Sequence, residues 1–256
     1  MVLQTVTRFI TGNTMKTTYL MCSDNIISML DQQASIDQRN ILSRYFKTGK
    51  GEYGEGDVFI GVTVPHMRAI ARSVASNTSL PCIKTLLKSR IHEHRFTGFL
   101  ILGALFKKAS TDKDRLVLYN LYIRHRDAAN NWDLVDCTAP VVIGGWLLNH
   151  DRSVLYELAE STRIWDRRIA IVSTSVFIRN GEFADTLRIA RMLLNDTHDL
   201  IHKAVGWMLR EVGKKSMQEL ESFLALHYKI MPRTMLRYAI ERMKPVRRKE
   251  YLLGLV

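Results

Sequence analysis

Cysteine is scarce and scattered: Cys22, Cys82 and Cys137 are the three in 256 residues. An odd, unclustered set builds neither a disulfide framework nor a zinc knuckle, and it fits reduced thiols in a cytoplasmic protein. Proline is scarce too, with 5 residues, and no Pro/Gly/Ser-rich linker interrupts the middle of the chain. One continuous domain over residues 24–256 is therefore expected, behind an N-terminal extension at 1–23. Met1–Leu20 has no sustained apolar run ending in a cleavage site, so it does not read as a signal peptide, and Met15 is a candidate start. No run of 18 apolar residues exists, so no membrane span is expected. Negative charge is in deficit, with 25 Asp plus Glu against 37 Lys plus Arg, a net charge of +12. No single tail holds most of that excess, so it falls on folded surface, which attracts polyanions, nucleic acid foremost.

What is present is helical periodicity from about Asp24 onward. Ser35 followed by Gln38 has the form of a capping box ahead of Ile36–Phe46. Residues 48–64 hold five glycines and Lys50, but no Ser or Thr follows that Lys at the mouth of a helix, so the segment is a surface loop and not a phosphate loop. Pro65 opens the next helix. Further helices are expected over Cys82–Lys88, Ile91–Lys108, Lys113–Ala129, Asp133–Leu148, Ser153–Glu160, Trp165–Arg179, Phe183–Leu194, Leu200–Val212, Met217–His227 and Arg233–Met243. Links between them are short, which makes neighbours antiparallel.

Five of these segments share one form, a charged residue leading an apolar run. Arg95, Asp136, Arg168, Lys203 and Arg237 lead them, at spacings of 41, 32, 35 and 34 residues. That period is the size of a two-helix repeat, so the expected fold is all-α, a curved solenoid of HEAT-like antiparallel helical repeats. Arg95, Arg168, Lys203 and Arg237 are then expected to form a cation ladder facing phosphate. Asp136 opposes the pattern; it is a surface carboxylate, a partner for a neighbouring Arg, or a group kept for chemistry. Trp132 precedes Asp136 by four residues, Trp165 precedes Arg168 by three, and Trp207 follows Lys203 by four, which makes indoles candidate packing surfaces for sugars or bases. A carboxylate among aromatic rings and cations suits N-glycosidic cleavage, because it stabilises an oxocarbenium-like sugar and orients water. A base made cationic by alkylation leaves without much acid assistance. No metal or other cofactor is expected: His92 and His94 diverge on a helix, and the other histidines lack matching ligands.

The segments VPHMRAIAR (Val64–Arg72), NNWDLVD (Asn130–Asp136), IWDRRIA (Ile164–Ala170) and IHKAVGWMLRE (Ile201–Glu211) resemble the signature segments of the AlkD-like DNA alkylation repair proteins, the HEAT-like-repeat DNA glycosylases. The resemblance runs from about Asp24 to Leu252. It implies a monofunctional glycosylase that removes cationic N3- or N7-alkylated purines from duplex DNA without the usual base-flipping pocket. It further implies that Asp136 is the essential carboxylate, that Trp132 and Trp207 are the aromatic pair at the lesion-bearing backbone, that Arg168 grips phosphate, and that Tyr45 is an aromatic on the N-terminal helices. The long Gly-rich loop and the basic run Arg242, Lys244, Arg247, Arg248 and Lys249 depart from the pattern; Arg247 and Arg248 add candidate DNA contacts. Double-stranded DNA is the expected partner, with no membrane and no obligate protein partner. A non-catalytic DNA-binding repeat protein is the strongest alternative, and a protein-interaction scaffold is a weaker one.

Overall fold

A computed structural model describes residues 21–256, and within them the chain is all-α with helical repeats and no strand beyond two isolated bridges. The candidate start at Met15 and most of the expected extension lie outside the described residues. Two compact units divide between Leu134 and Val135. None of the described helices is long and apolar enough to cross a membrane.

The first unit contains α1 (Ser23–Asp31), α2 (Ile36–Tyr45), α3 (Val64–Val74), α4 (Leu80–Leu87), α5 (His92–Lys108) and α6 (Asp112–Arg124). The Ser35 hydroxyl accepts from the Gln38 N–H at 3.4 Å, capping α2 as its sequence indicates. Pro65 sits in the first turn of α3, where its missing N–H costs no hydrogen bond. Helix α5 is the core: His92 through Phe99 are all buried, charged residues included, and α3 and α4 pack on it. A helix covered on most sides needs no single apolar stripe, which is why its charges must find partners inside.

The Gly-rich loop is tied down by a buried carboxylate. Glu93, at the start of α5, accepts from the backbone N–H groups of Ile60, Gly61 and Val62 at 2.8 to 3.2 Å. Gly61 has φ +89°, and a Cβ there would lie 2.1 Å from the Ser35 carbonyl oxygen; Gly51 has φ +79° with open space around it. Gly61→Ala is therefore expected to cost about 2 kcal/mol or more, and Gly51→Ala only the backbone term of about 1 kcal/mol. Urea midpoints of the two variants measure this, and equal losses would show that the loop does not rest on α2.

The second unit begins inside α7 (Trp132–Ala139) and continues through α8 (Gly145–Leu147), α9 (Ser153–Ala159), α10 (Ile164–Ser173), α11 (Ser175–Arg179), α12 (Ala184–Met192), α13 (Asp199–Lys215), α14 (Met217–His227), α15 (Arg233–Ala239) and α16 (Pro245–Leu253). One helix was expected over Asp133–Leu148, but Pro140 has no N–H to donate four residues back. The chain widens there into a π-helical stretch, Pro140–Gly144, in which the Gly145 N–H reaches the Pro140 carbonyl. Gly144 lets this stretch approach α10, since a Cβ would lie 2.3 Å from the Ser173 carbonyl oxygen. The helix expected over Trp165–Arg179 is likewise divided at Thr174, whose hydroxyl donates to the Ile171 carbonyl at 2.6 Å. Helix α13 packs against α10, α14 and α15.

Candidate functional site

In the second unit, Asp136 on α7 meets Arg168 on α10 side-on. Arg168 Nε donates to Asp136 Oδ1 at 2.8 Å and Nη2 to Oδ2 at 2.7 Å, while Nη1 donates to the Leu200 carbonyl at 2.5 Å. Arg168 as a whole is only 6% exposed. Three fixed bonds lock its plane, and the plane locks the carboxylate. A carboxylate offers about four acceptor sites, so a two-pronged guanidinium occupies half of that capacity.

Asp136 also lines a cleft of about 540 Å³. Trp207 on α13 forms part of its wall, with Pro140 from the π-helical stretch and the cations Arg179, Lys214 and Lys215 around it. Trp207, Glu211, Lys214 and Lys215 are four, seven and eight residues apart counted from the indole, so one face of α13 supplies all four. The lysines were not singled out from the sequence, although this spacing from Trp207 marks them. Glu211 receives Lys214 at 2.6 Å and Arg210 at 3.3 Å. Cations and a fixed carboxylate thus share an apolar-walled cleft.

The first unit holds a different cluster. Phe46 stacks on Phe59 at 5.1 Å and on Trp132 at 5.2 Å, and Tyr45 meets Trp132 edge-on at 5.9 Å. Tyr45 is 62% exposed, so its ring is available to a ligand. Under these rings His92 bridges two acids, its Nδ1 donating to Asp57 Oδ2 at 2.8 Å and its Nε2 to Asp133 Oδ2 at 2.9 Å. Carboxylates only accept, so both ring nitrogens carry protons and the ring is an imidazolium. Burial works against that charge, but Asp133 and Asp57 outweigh it and raise the His92 pKa to about 9. Burial also opposes ionisation of Asp57, yet His92 and Arg95 hold its pKa below the ordinary value. Two cations and two carboxylates make the group neutral overall.

The sequence matches the model of the DNA alkylation repair enzyme family over residues 26–243. The chain belongs to that family. No curated protein matches it. Among solved structures, one described as a predicted DNA alkylation repair enzyme from Enterococcus faecalis superposes with a TM-score of 0.64 at 15% identity, covering 83% of this chain and 98% of that one. At that identity the likeness bears on the fold alone. Family membership makes DNA the partner and alkylation repair the role.

Within this family member the ladder arginines take a course the sequence did not indicate. Arg95 was expected to face phosphate, but it is 5% exposed and donates to Asp57, to Asn130 Oδ1 at 2.8 Å, and to the Ser89 and Ala128 carbonyls at 3.0 and 3.2 Å. Arg168, expected to grip phosphate, is the buried partner of Asp136. The carbonyls they reach, Ala128 and Leu200, lie 33 and 32 residues ahead, so each arginine fastens its repeat to the following one. Lys203 pairs with Asp199 at 2.6 Å, whereas Arg237 is exposed. Trp165, also expected at the DNA surface, is buried in the core. Arg247 is held by Glu221 at 2.8 Å and Glu250 at 2.9 Å with its guanidinium over the Tyr251 ring, while Arg248 is exposed.

Proposed function

We propose that this chain is a monofunctional DNA glycosylase that hydrolyses the N-glycosidic bond of cationic N3- or N7-alkylated purines in duplex DNA, acts in the cytoplasm and uses no metal. The observation that carries the reading is a carboxylate held rigid by Arg168 in the wall of a cleft that also holds an indole and several cations. In the proposed reaction the C1′–N bond breaks and its electron pair leaves with the base, cancelling the positive charge of the base. The sugar becomes oxocarbenium-like beside the Asp136 carboxylate, water adds at C1′, and the proton from that water passes to solvent. A carboxylate already fixed in place stabilises the developing charge without reorganising. Arg168 acts by orienting Asp136, Trp207 packs against the sugar-phosphate backbone, and Lys214, Lys215 and Arg179 neutralise phosphates. Trp132, Tyr45, Lys203, Arg237 and Arg248 remain proposed DNA contacts.

A duplex carrying N7-methylguanine or N3-methyladenine tests the proposal. Free base is expected above the no-protein control and unchanged by EDTA; activity lost to EDTA and restored by one divalent metal would force another mechanism. Because both oxygens of Asp136 are engaged by Arg168, a second reading is that the pair is structural and the chain binds damaged DNA without cutting it. Binding without base release would support that reading.

A further inference from the structure

Away from the Asp136 cleft, the first unit has a second concavity of about 470 Å³ between α4 and α6. Lys84 comes from α4 and Lys88 from the residue that caps its C-terminus, Asn120 and Arg124 come from α6, and His125 is the residue that ends α6. The remaining lining is Leu80, Val117 and Leu121, with no carboxylate among them. Lys84, Lys88 and Arg124 are exposed and make no ion pair among the described residues. In contrast, Arg152, Arg167 and Arg168 are all held by acids. We infer that this cleft is a binding site for a phosphate group, held by Lys84, Lys88 and Arg124 with hydrogen bonds from Asn120 and His125.

The arrangement is costly without an anion. Lys84 and Lys88 are like charges four apart on one helix face, which is unfavourable, and Arg124 is added from the facing helix. The bland account is that these cations serve the negative ends of α4 and α6. It explains a cation at each helix end, but not the convergence of three of them on one cleft that no carboxylate lines. His125 lies in their field: burial above all holds its pKa below the ordinary value, Asp127 from the turn Arg126–Ala128 opposes it, and Lys88, Lys84 and Arg124 add to the lowering. A bound phosphate offsets much of the cations' field. The site does not depend on whether the Asp136 cleft cleaves DNA, since it lies wholly in the other unit.

The test is titration of the His125 ring by NMR in the full chain, assigned by loss of its signal in His125→Gln. It is run with inorganic phosphate, with chloride at matched ionic strength, and with unmodified duplex DNA. With phosphate or duplex, but not chloride, the His125 midpoint is expected to rise by about half a pH unit or more. The rise should vanish in Lys88→Gln/Arg124→Gln, whose melting temperature without phosphate should hold or increase as repulsion is relieved. A rise with both ligands assigns the site to the duplex backbone, and one with phosphate alone assigns it to a free phosphate. No rise with either ligand, an equal rise in chloride or in the double variant, or a lower melting point in the double variant without phosphate would overturn the inference.

Discussion

Asp136→Asn is expected to cut single-turnover release of a cationic alkylated base at least tenfold, about 1.4 kcal/mol of transition-state stabilisation, while leaving DNA affinity intact or tighter. The change is nearly isosteric. One side-chain oxygen still accepts from Arg168, but the new amide turns donor against donor toward the second prong of the guanidinium. Losing one charge-assisted bond at a partly exposed pair costs about 1–3 kcal/mol of stability, so the rate must be measured well below the melting point. Affinity should not fall, because the substitution removes a negative charge from a cleft lined by Arg179, Lys214 and Lys215. If Asp136 serves only to position Arg168, the signature reverses: binding or melting suffers more than the chemical step. Normal binding, normal melting and a wild-type rate together would sink the catalytic assignment.

His92→Gln is expected to destabilise the fold by about 3–5 kcal/mol at pH 6, the cost of breaking a buried charged group by removing one member. Gln can serve one of the two carboxylates that His92 bridges, and Arg95 compensates only Asp57. The pH dependence has a definite sign. The folded His92 pKa of about 9 lies above its ordinary 6.5, so its contribution is complete below pH 6.5 and is lost as pH rises through 9. The wild-type advantage should therefore shrink by about 3 kcal/mol between pH 6 and 9.5. Urea unfolding of both proteins at the two pH values measures the difference, and a constant gap would mean that His92 is not an imidazolium in the folded state.

Much of the scaffold was legible because local chemistry wrote it. Helix α14 runs over Met217–His227 as its periodicity indicates, Ser35 caps α2, and Pro65 opens α3. Helix α16 was missed as a helix although its punctuation was present: Pro245 opens it and Gly254 closes it in the left-handed conformation at φ 73°. Its cations give the segment the pattern of a charge run. The break at Pro140 was also written in the residue type, but an apolar run on both sides masked it.

The site was legible by position more than by environment. The repeat pattern found Arg95 and Arg168 at equivalent places, yet charge alone does not separate an arginine facing phosphate from one that fastens repeats together. That distinction rests on Asp57, Ala128, Asp136 and Leu200, which packing brings in from 32 to 38 residues away. The His92 bridge was hidden for the same reason, since its acids stand 35 and 41 residues off in opposite directions. By contrast, Asp136 was marked by its sign among cations, and the structure gives it a wall in a cleft shared with Trp207.

The central claim is that this chain releases a base that carries its own positive charge. It is tested most directly by measuring free base released by saturating wild-type protein from two otherwise identical duplexes. One contains cationic N7-methylguanine and the other neutral O6-methylguanine. Release of the first at a rate above its spontaneous loss, with the second left intact, is the predicted result; equal release of both, or release of neither by protein that binds both duplexes, would contradict it.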